Sequence, residues 1–310
     1  MSNILIIKHG SLGDLIQANG AIKDIKKSFK SSKLFLLTTL PYLEFMSECP
    51  HLDGVILDKR SPRWNLFYLF SLKKSLEKYN FTHIFDLQNS SRTKFYKNFI
   101  IKNAVWSSSA TSLNEGEKIS EFNKESVLDR MEQQLKKSNI STENVKNVDI
   151  SWCIKDVSRN LKQYTNDEYI LIFPFCSKKN QQKKWPYFQE LIIKIRELFK
   201  NKYSILIAPG PNEIEEAKKL NAKIVLSDDK PVSIGYLISL IYNAKYVISN
   251  DTGPAHACTH LKKKGLVLFG SHTSPEKVNI GNNNFRPIVT KNLPDLKVLE
   301  VLKEISKDLN

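Results

Sequence analysis

The sequence is poor in acidic residues and has no long apolar run. Its 310 residues carry 47 Lys and Arg against 32 Asp and Glu, which gives a formal net charge of +15. The run Ile4–Ile7 is too short for the apolar region of a signal peptide, and no stretch is apolar enough for a membrane-spanning helix. We therefore expect a cytoplasmic protein whose positive charge requires an anionic partner.

Cysteine is also scarce, and its spacing excludes the usual metal and redox motifs. There is no C-x-x-C pair and no His spacing typical of zinc sites. We expect buried free thiols in a reducing compartment. The four cysteines are Cys49, Cys153, Cys176 and Cys258.

Several other signatures are missing. The glycine-rich turn after the first strand lacks the G-x-G-x-x-G and G-K-[ST] spacings, which disfavours a dinucleotide fingerprint and a Walker loop. No D-x-D pair of the kind that holds a divalent cation in metal-dependent sugar transferases follows a strand. No helix-turn-helix or zinc module accompanies the positive charge, so a nucleic-acid-binding protein, the alternative from a different class, is disfavoured.

Short apolar runs alternate with stretches of helical periodicity in both halves of the chain. In the first half we predict strands at Asn3–Lys8, Leu34–Thr38, Gly54–Asp58, His83–Leu87 and Val148–Ile150, and helices at Leu15–Lys30, Leu66–Tyr79 and Val127–Leu135. In the second half we predict strands at Tyr169–Pro174, Tyr203–Ala208, Lys223–Leu226, Tyr246–Ser249 and Lys264–Phe269, and helices at Pro186–Phe199, Asn212–Leu220, Ile234–Tyr242 and Leu296–Leu309.

This alternation predicts an α/β protein of two Rossmann-like, doubly wound domains, residues 1–160 and 161–310, with the boundary between residues 156 and 167. Such sheets bind ligands beyond the carboxyl ends of their strands, so two of them facing across a cleft place the site there.

Asp14 is the informative residue of the turn Gly10-Ser11-Leu12-Gly13-Asp14 after the first strand. A carboxylate in the first turn of a helix, at the carboxyl end of a strand, is suited to act as a general base. A residue of this type is also a common helix cap, so both roles stay open.

Two segments of the second half are suited to bind phosphate. Asn250-Asp251-Thr252-Gly253-Pro254-Ala255-His256 follows a strand and opens a helix, which is typical of an anion-binding turn or of an ordinary capped turn. The run Ser177–Lys179 and the segment Lys183-Lys184-Trp185-Pro186 place ammonium groups before a helix, where they either pair with phosphates or form a solvated charge run.

Together these segments resemble glycosyltransferase family 9, the bacterial heptosyltransferases that extend the inner core of lipopolysaccharide. The similarity is carried by G-S-L-G-D at 10–14, K-K-W-P at 183–186, G-P-N-E at 210–213 and N-D-T-G-P-A-H at 250–256, in the family's order. It implies the GT-B architecture, with the nucleotide-sugar donor held by the second domain and the acceptor by the first. It also implies that the last helix packs back towards the first domain.

The resemblance assigns the catalytic and acceptor side to the first motif. Asp14 becomes the base that deprotonates the acceptor hydroxyl, and Gly10, Ser11 and Gly13 form the acceptor-side loop. An inverting transfer of this kind needs positive charge on the departing diphosphate, and lysines with helix N-termini can supply it. We therefore expect no metal or other cofactor.

On the donor side, the resemblance places Ser177 and Lys183 at the donor phosphates and Thr252 and Gly253 at the diphosphate. Glu213 holds the ribose, with Glu216 as a competing alignment. The resemblance also implies that Asp251 and His256 complete the pocket.

The function implied is inverting transfer of a heptose or related sugar from a nucleotide diphosphate sugar, ADP-heptose first, to a lipid-linked acceptor of the lipopolysaccharide core type. The enzyme would be a monomer, peripheral on the anionic inner-membrane surface. Another surface glycan as acceptor is the alternative. The loop Pro174-Phe175-Cys176-Ser177 lacks the glycine usual in the family, which leaves the identity of the donor open. Arg60, Arg63 and Arg92 either bind acidic acceptor groups or are solvated.

Overall fold

A computed structural model describes residues 2–309. The chain divides after Trp152 into two compact units, eight residues before the end of the first domain predicted at residue 160. Each unit is built on one parallel sheet whose central strands are buried on both faces. The predicted α/β class with two doubly wound units is confirmed.

The first unit has a five-stranded sheet in the order β3-β2-β1-β4-β5, and every pair of neighbours is parallel. Its elements are β1 Asn3–Ile7, α1 Leu12–Ser28, β2 Lys33–Thr38, α2 Leu40–Ser47, β3 Gly54–Leu57, α3 Leu66–Glu77, β4 Phe81–Asp86, α4 Ser91–Phe99, β5 Val105–Ser107, α5 Ile119–Phe122 and α6 Val127–Lys137. The strand order reverses between β1 and β4, so the loops after these two strands diverge and leave room for a ligand.

The second unit has a six-stranded parallel sheet in the order β11-β10-β9-β6-β7-β8. Its elements are α7 Ser158–Leu161, β6 Tyr169–Phe173, α8 Phe188–Leu198, β7 Ser204–Ile207, α9 Ile214–Ala217, β8 Lys223–Ile224, α10 Ile234–Asn243, β9 Tyr246–Asn250, α11 Gly253–His260, β10 Gly265–Phe269, α12 Pro275–Val278, β11 Phe285–Val289 and α13 Val298–Leu309. Here the order reverses between β6 and β9.

The last helix belongs to the core of the second unit. Its apolar face, with Val298, Val301 and Ile305, is buried in the same cluster as the inner face of α8. Arg286 on β11 forms ion pairs with Glu304 at 2.8 Å and Asp308 at 2.7 Å, which fix the polar side of the helix. The family resemblance implied that this helix packs back towards the first domain. The structure places its apolar face in the core of the second unit.

The predicted strand Val148–Ile150 is wrong, because this segment belongs to neither sheet. Val148 and Ile150 are buried, which explains the apolar signal. Two edge strands, β5 and β11, were not predicted from the sequence. Both are partly exposed. β5 has only three residues, and β11 contains Pro287, which an edge strand tolerates better than a central one.

The segment before Trp152 is fastened to α1 by a buried carboxylate and a glycine. Asp24 accepts hydrogen bonds from the amides of Asn144 at 2.8 Å and Val145 at 3.0 Å. One turn earlier, a Cβ at Gly20 would overlap the carbonyl of Asn144. The close approach of the segment to the helix therefore requires glycine at this position.

We expect Gly20→Ala to lower the free energy of unfolding by about 1–3 kcal/mol, because the added methyl forces the backbone of residue 144 away from α1. Gly235→Ala in α10 is the matched control, since its Cβ would be 3.7 Å from the nearest atom, a carbonyl oxygen. Because alanine has the higher helix propensity, Gly235→Ala should leave the free energy of unfolding unchanged or raise it by up to about 1 kcal/mol. Urea unfolding midpoints measure both, and equal effects would contradict the packing argument.

Candidate active site

Asp14 lies in the first turn of α1, directly beyond the carboxyl end of β1. One carboxylate oxygen, Oδ2, accepts hydrogen bonds from the amide and the hydroxyl of Ser11 at 2.7 and 2.9 Å. The other, Oδ1, is 3.4 Å from Nζ of Lys8, and the Asp14 side chain is 38% exposed. The helix-capping role is therefore real, and it holds a partly exposed carboxylate in a fixed place beside a cation.

Lys8 connects the two strands at which the sheet order reverses. Its side chain is 5% exposed, and Nζ donates a hydrogen bond to the carbonyl of Leu87 at 2.9 Å, just beyond β4. The amide of His9 donates to Oε1 of Gln88 at 2.8 Å, which joins the same two loops a second time. Asp14 thus sits at the switch point of the first sheet, the usual ligand-binding position in this fold class.

Gly10 and Tyr42 shape the turn next to Asp14. Gly10 has a φ of +119°, and a Cβ there would overlap the Tyr42 ring. Burial, followed by the nearby Asp14 carboxylate, raises the pKa of Tyr42. The phenol therefore stays neutral next to Asp14, and glycine is required in the turn by both conformation and space.

Asp58 follows β3 and is fully buried. Its Oδ1 accepts hydrogen bonds from the amide of Arg60 at 2.7 Å and from the hydroxyl of Tyr68. Its Oδ2 accepts from the hydroxyl of Tyr96 at 2.7 Å and lies 2.8 Å from Nε2 of His9. This cluster joins the end of β1 to the loop after β3, and no sequence motif predicted it.

The polar contacts decide the charge of Asp58. Burial alone raises the pKa of this carboxyl, but its contacts with His9, Tyr68 and Tyr96 outweigh burial and bring the pKa to about 2. Burial and then Asp58 itself raise the pKa of Tyr96 to about 12, since Arg92 only partly opposes them. The cluster therefore contains one permanently ionised carboxylate surrounded by neutral phenols at neutral pH.

Arg92 links this cluster to the loop that follows Asp58. Its guanidinium donates to the Tyr96 hydroxyl at 3.1 Å and to the carbonyl of Ser61 at 3.0 Å. It therefore holds the loop of residues 59–63 against α4. Arg60 and Arg63 are on the exposed side of the same loop.

A second buried carboxylate, Asp86, ends β4. It accepts hydrogen bonds from the amides of Gln88 and Asn89 at 3.1 and 2.9 Å. Burial raises its pKa in spite of these donors. A cavity of about 340 Å³ opens next to it, lined by Asp86 and by residues of α4 and of the segments around β5.

In the second unit, Lys183 and Asp251 meet at the switch point between β6 and β9. Nζ of Lys183 is 2.5 Å from Oδ2 of Asp251, which also lies 3.0 Å from Nε2 of His272. Asp251 is 3% exposed, whereas Lys183 remains 21% exposed. His272 follows β10 and lies outside every sequence motif, so no sequence signal predicts it.

Asn250 fixes the two loops that carry this pair. Its side-chain oxygen accepts from the amide of Trp185 at 3.2 Å, and its side-chain nitrogen donates to the carbonyl of Pro174 at 2.9 Å. Asn250 is fully buried, as is the Trp185 side chain. The predicted phosphate segments at 183–186 and 250–256 therefore form one structure at the carboxyl edge of the sheet.

Thr252 is the N-cap of α11, and Gly253 is its first residue. The first-turn amides of a helix and its dipole favour an anion at this end, although Pro254 contributes no N–H. His256 lies within the first turns of the same helix and is half-buried. Burial, followed by the neighbouring His256, lowers the pKa of His260 to about 3.

The remaining donor-side residues lie in the loops after β6 and β7. Ser177 is exposed, and its hydroxyl accepts from Nδ2 of Asn180 at 3.0 Å. Glu213 accepts from the amide of Gly210 at 2.7 Å, and burial raises its pKa. Glu216, in contrast, forms an ion pair with Lys184.

Among residues 2–309, no group of three or more His, Cys, Asp and Glu side chains could hold a metal ion. In the same part of the chain, no helix is long and apolar enough to cross a membrane. The four cysteines are free and buried, as the sequence predicted.

The two parallel sheets match the GT-B fold of solved structures. The chain is similar to the E. coli heptosyltransferase WaaC with ADP, at a TM-score of 0.72 and 16% identity over 99% of both chains. It is similar to E. coli ADP-heptose lps heptosyltransferase II, at 0.73 and 16% over 99% of this chain and 98% of that one. The UDP-GlcNAc 2-epimerase of Methanocaldococcus jannaschii is more distant, at 0.54 and 16% over 100% and 93%.

The family model of glycosyltransferase family 9 (heptosyltransferase) matches residues 69–305, which is most of the chain. The protein therefore belongs to glycosyltransferase family 9 and is a glycosyltransferase. The segment G-S-L-G-D at 10–14 precedes the matched range. No functionally curated protein has a significantly matching sequence.

We expect Asp58→Asn to destabilise the protein at pH 7 by about 2 kcal/mol, because the pKa of about 2 in the folded state lies below the ordinary value of 3.8. A carboxyl group whose pKa is lowered by folding stabilises the folded protein at a pH above its ordinary pKa. This stabilisation is lost as the pH falls towards 2. The difference in the free energy of unfolding between the wild-type protein and Asp58→Asn should therefore decrease between pH 4 and pH 2. Urea unfolding at several pH values measures it, and a gap independent of pH would refute the assignment.

Proposed function

We propose that this glycosyltransferase moves a heptose from ADP-heptose to a lipid-linked acceptor of the lipopolysaccharide core type, with inversion at the anomeric carbon. The observation that carries the proposal is the partly exposed ammonium of Lys183, held by Asp251 beside the N-terminus of α11. That arrangement is suited to a diphosphate. The similar E. coli enzyme WaaC has been solved with ADP and with ADP-2-deoxy-2-fluoro heptose, which favours the same donor here.

In this proposal Asp14 is the general base. Its Oδ2 is engaged by Ser11, and its Oδ1 lies 3.4 Å from Nζ of Lys8. The carboxylate takes the proton of the acceptor hydroxyl while that oxygen attacks the anomeric carbon and the bond to the diphosphate breaks. Attack from the face opposite to the leaving group inverts the configuration, through a sugar with oxocarbenium character.

The second unit stabilises the charge that develops on the leaving diphosphate. Lys183 pairs with the phosphates, Thr252 and Gly253 offer hydroxyl and amide donors, and the exposed Ser177 adds a further hydroxyl. Asp251 orients Lys183 and His272 rather than binding the anion itself, since its carboxylate already contacts both. These donors perform the task of a divalent cation, so we propose transfer without a metal.

The ribose role is better suited to Glu213 than to Glu216. Glu216 is already neutralised by Lys184, whereas Glu213 lies in the loop directly after β7 with only a backbone amide as donor at Oε2. A carboxylate at the carboxyl edge of a Rossmann-like sheet commonly accepts from ribose hydroxyls. His256, half-buried on α11, is placed near the same edge and completes the pocket in this proposal.

On the acceptor side we propose that Arg60 and Arg63 bind acidic or phosphorylated sugars, because both are exposed on a loop that Asp58 and Arg92 hold in place. The acceptor's lipid keeps the enzyme at the anionic face of the inner membrane as a peripheral monomer.

The direct test is donor specificity. We expect the purified protein to release ADP from ADP-heptose only when a core-type acceptor is present, and the rate should not change in EDTA. UDP- and GDP-linked sugars should be transferred at least about 10²-fold more slowly, since the pocket would hold the base of one nucleotide. Preference for a UDP or GDP donor would support another surface glycan instead, and loss of activity in EDTA restored by Mg²⁺ would refute the metal-free mechanism.

We expect Asp14→Asn to reduce kcat by about 10²–10⁴-fold while donor binding is retained, because only proton removal is lost. The matched control is Asp129→Asn, since Asp129 occupies the same position in the first turn of α6. Its Oδ2 accepts a hydrogen bond from the hydroxyl of the N-cap residue Ser126 at 2.5 Å, as Oδ2 of Asp14 accepts from Ser11. If Asp14 serves only to cap its helix, both variants should lose similar stability and both should keep full activity.

Calorimetric titration with ADP separates this role from donor binding. Lys183→Met should weaken ADP binding by about 10-fold or more, and Asp14→Asn should leave it unchanged. Near wild-type transfer by the Asp14 variant would show that another group is the base.

A further inference from the structure

The first unit exposes a patch of large apolar side chains at the start of α3. Phe67 is 92% exposed, Trp64 81%, Leu66 71% and Phe70 69%. These four residues, which we term the α3 patch, lie within seven positions of the chain. Single exposed apolar residues are common, but four large ones together mark a surface that contacts something apolar.

Helix geometry makes the α3 patch continuous. Residues three or four positions apart are neighbours on a helix surface, so Phe70 lies beside both Leu66 and Phe67. The opposite face of α3, with Leu69, Leu72 and Leu76, is buried in the core of the first unit. The patch is therefore not needed for packing of the helix on its sheet.

The patch extends towards α4. The guanidinium of Arg63 lies 6.0 Å from the centre of the Phe95 ring, and that ring is 4.7 Å from the ring of Phe99. Phe99 is itself 57% exposed. Because Arg92 also ties Ser61 to α4, the loop before the patch and the outer side of α4 form one surface.

This surface carries most of the excess charge of the protein. Residues 59–78 and 91–104 contain ten Lys and Arg and one acidic residue, Glu77, which leaves +9 of the total of +15. The basic residues are Lys59, Arg60, Arg63, Lys73, Lys74, Lys78, Arg92, Lys94, Lys97 and Lys102. Lys73 is the partner of Glu77, at 3.7 Å, and Arg92 donates to Tyr96 and Ser61, so eight of the ten keep their charge available.

We propose that the α3 patch docks on an anionic lipid bilayer, with the aromatic side chains inserted at the headgroup level and the surrounding lysines and arginines bound to lipid phosphates. Trp and Phe favour this interface, and each basic residue near an anionic leaflet adds to the attraction. Exposed apolar side chains inside a ring of one charge sign match a bilayer with anionic headgroups. A nucleic acid would match the charge but not the aliphatic and phenyl side chains.

The inference rests on the proposed function in one respect, the lipid-linked acceptor, for which it names the face of the enzyme that meets the membrane. The loop of residues 59–63 lies between the patch and the buried Asp58 cluster at the carboxyl edge of the sheet. Docking by the patch would therefore bring this edge close to the headgroups, where the sugars of a lipid-linked acceptor begin.

Sedimentation with phosphatidylcholine vesicles, with and without 30% phosphatidylglycerol, tests the docking in the absence of any acceptor. We expect binding to the anionic vesicles that weakens in high salt, since exposed charges are screened. The double variant Phe67→Ser/Phe70→Ser should lower the partition coefficient at least about 10-fold. Leu299→Ser on α13 is the matched control, because Leu299 is also 69% exposed but lies in the second unit.

Trp64 supplies a second readout that does not depend on sedimentation. Of the four tryptophans, it is the exposed one, whereas Trp106 and Trp185 are buried and Trp152 is half-buried. Its emission should shift to shorter wavelength on anionic vesicles and be quenched by brominated lipids. Trp64→Phe should abolish both signals while binding persists.

Unchanged vesicle binding by the Phe67/Phe70 variant, or no binding by the wild-type protein, would overturn the proposal. So would a lipid-free dimer in sedimentation velocity that the double variant abolishes, because the patch would then be a contact between two copies. Transfer to a deacylated, water-soluble acceptor separates the two hypotheses. If docking is wrong, this activity remains, and if the proposed substrates are wrong, it is absent while vesicle binding persists.

Discussion

Burial of both faces of a parallel sheet constrains everything else in this protein. The central strands β1, β6, β9 and β10 are mostly apolar, so the charged side chains of the two sites lie beyond the strand ends. At the carboxyl edges, where the strand order reverses, the loops separate and these side chains converge. Lys8 and Asp14 occupy that position in the first unit, and Lys183 and Asp251 occupy it in the second.

Both units apply the same electrostatic device with opposite emphasis. In each, a lysine and a carboxylate are within 3.4 Å of one another, and one member is far more buried than the other. In the first unit the lysine is buried and the carboxylate is accessible, which suits a base. In the second the carboxylate is buried and the lysine is accessible, which suits the binding of an anion. The buried member holds the accessible one in position.

The sequence predicts those features that leave a local signal. Buried central strands read as apolar runs, and Asp14, Lys183 and Asp251 stand in recognisable segments after strands. The edge strands leave little signal, because β5 has only three residues and β11 is only partly buried. The segment Val148–Ile150 is wrongly predicted as a strand, since its buried apolar residues have the same sequence pattern as a strand paired in a sheet.

The polar partners of the sites could not be predicted for a different reason. Asp58, His9 and His272 are single residues after three different strands, and their distances depend on strand order rather than on spacing along the chain. The same is true of the α3 patch. Its apolar residues are typical of a buried helix until the sheet shows which face of α3 is already covered.

Asn250 has a consequence for how the donor loop can vary. The amide group of this single side chain holds Pro174 at one end of the loop after β6 and Trp185 at the other. A loop closed at both ends by the same buried group can change its length and composition between those points while Lys183, next to the second anchor, keeps its place. The polar stretch at residues 178–182 can therefore vary without displacing Lys183 from Asp251.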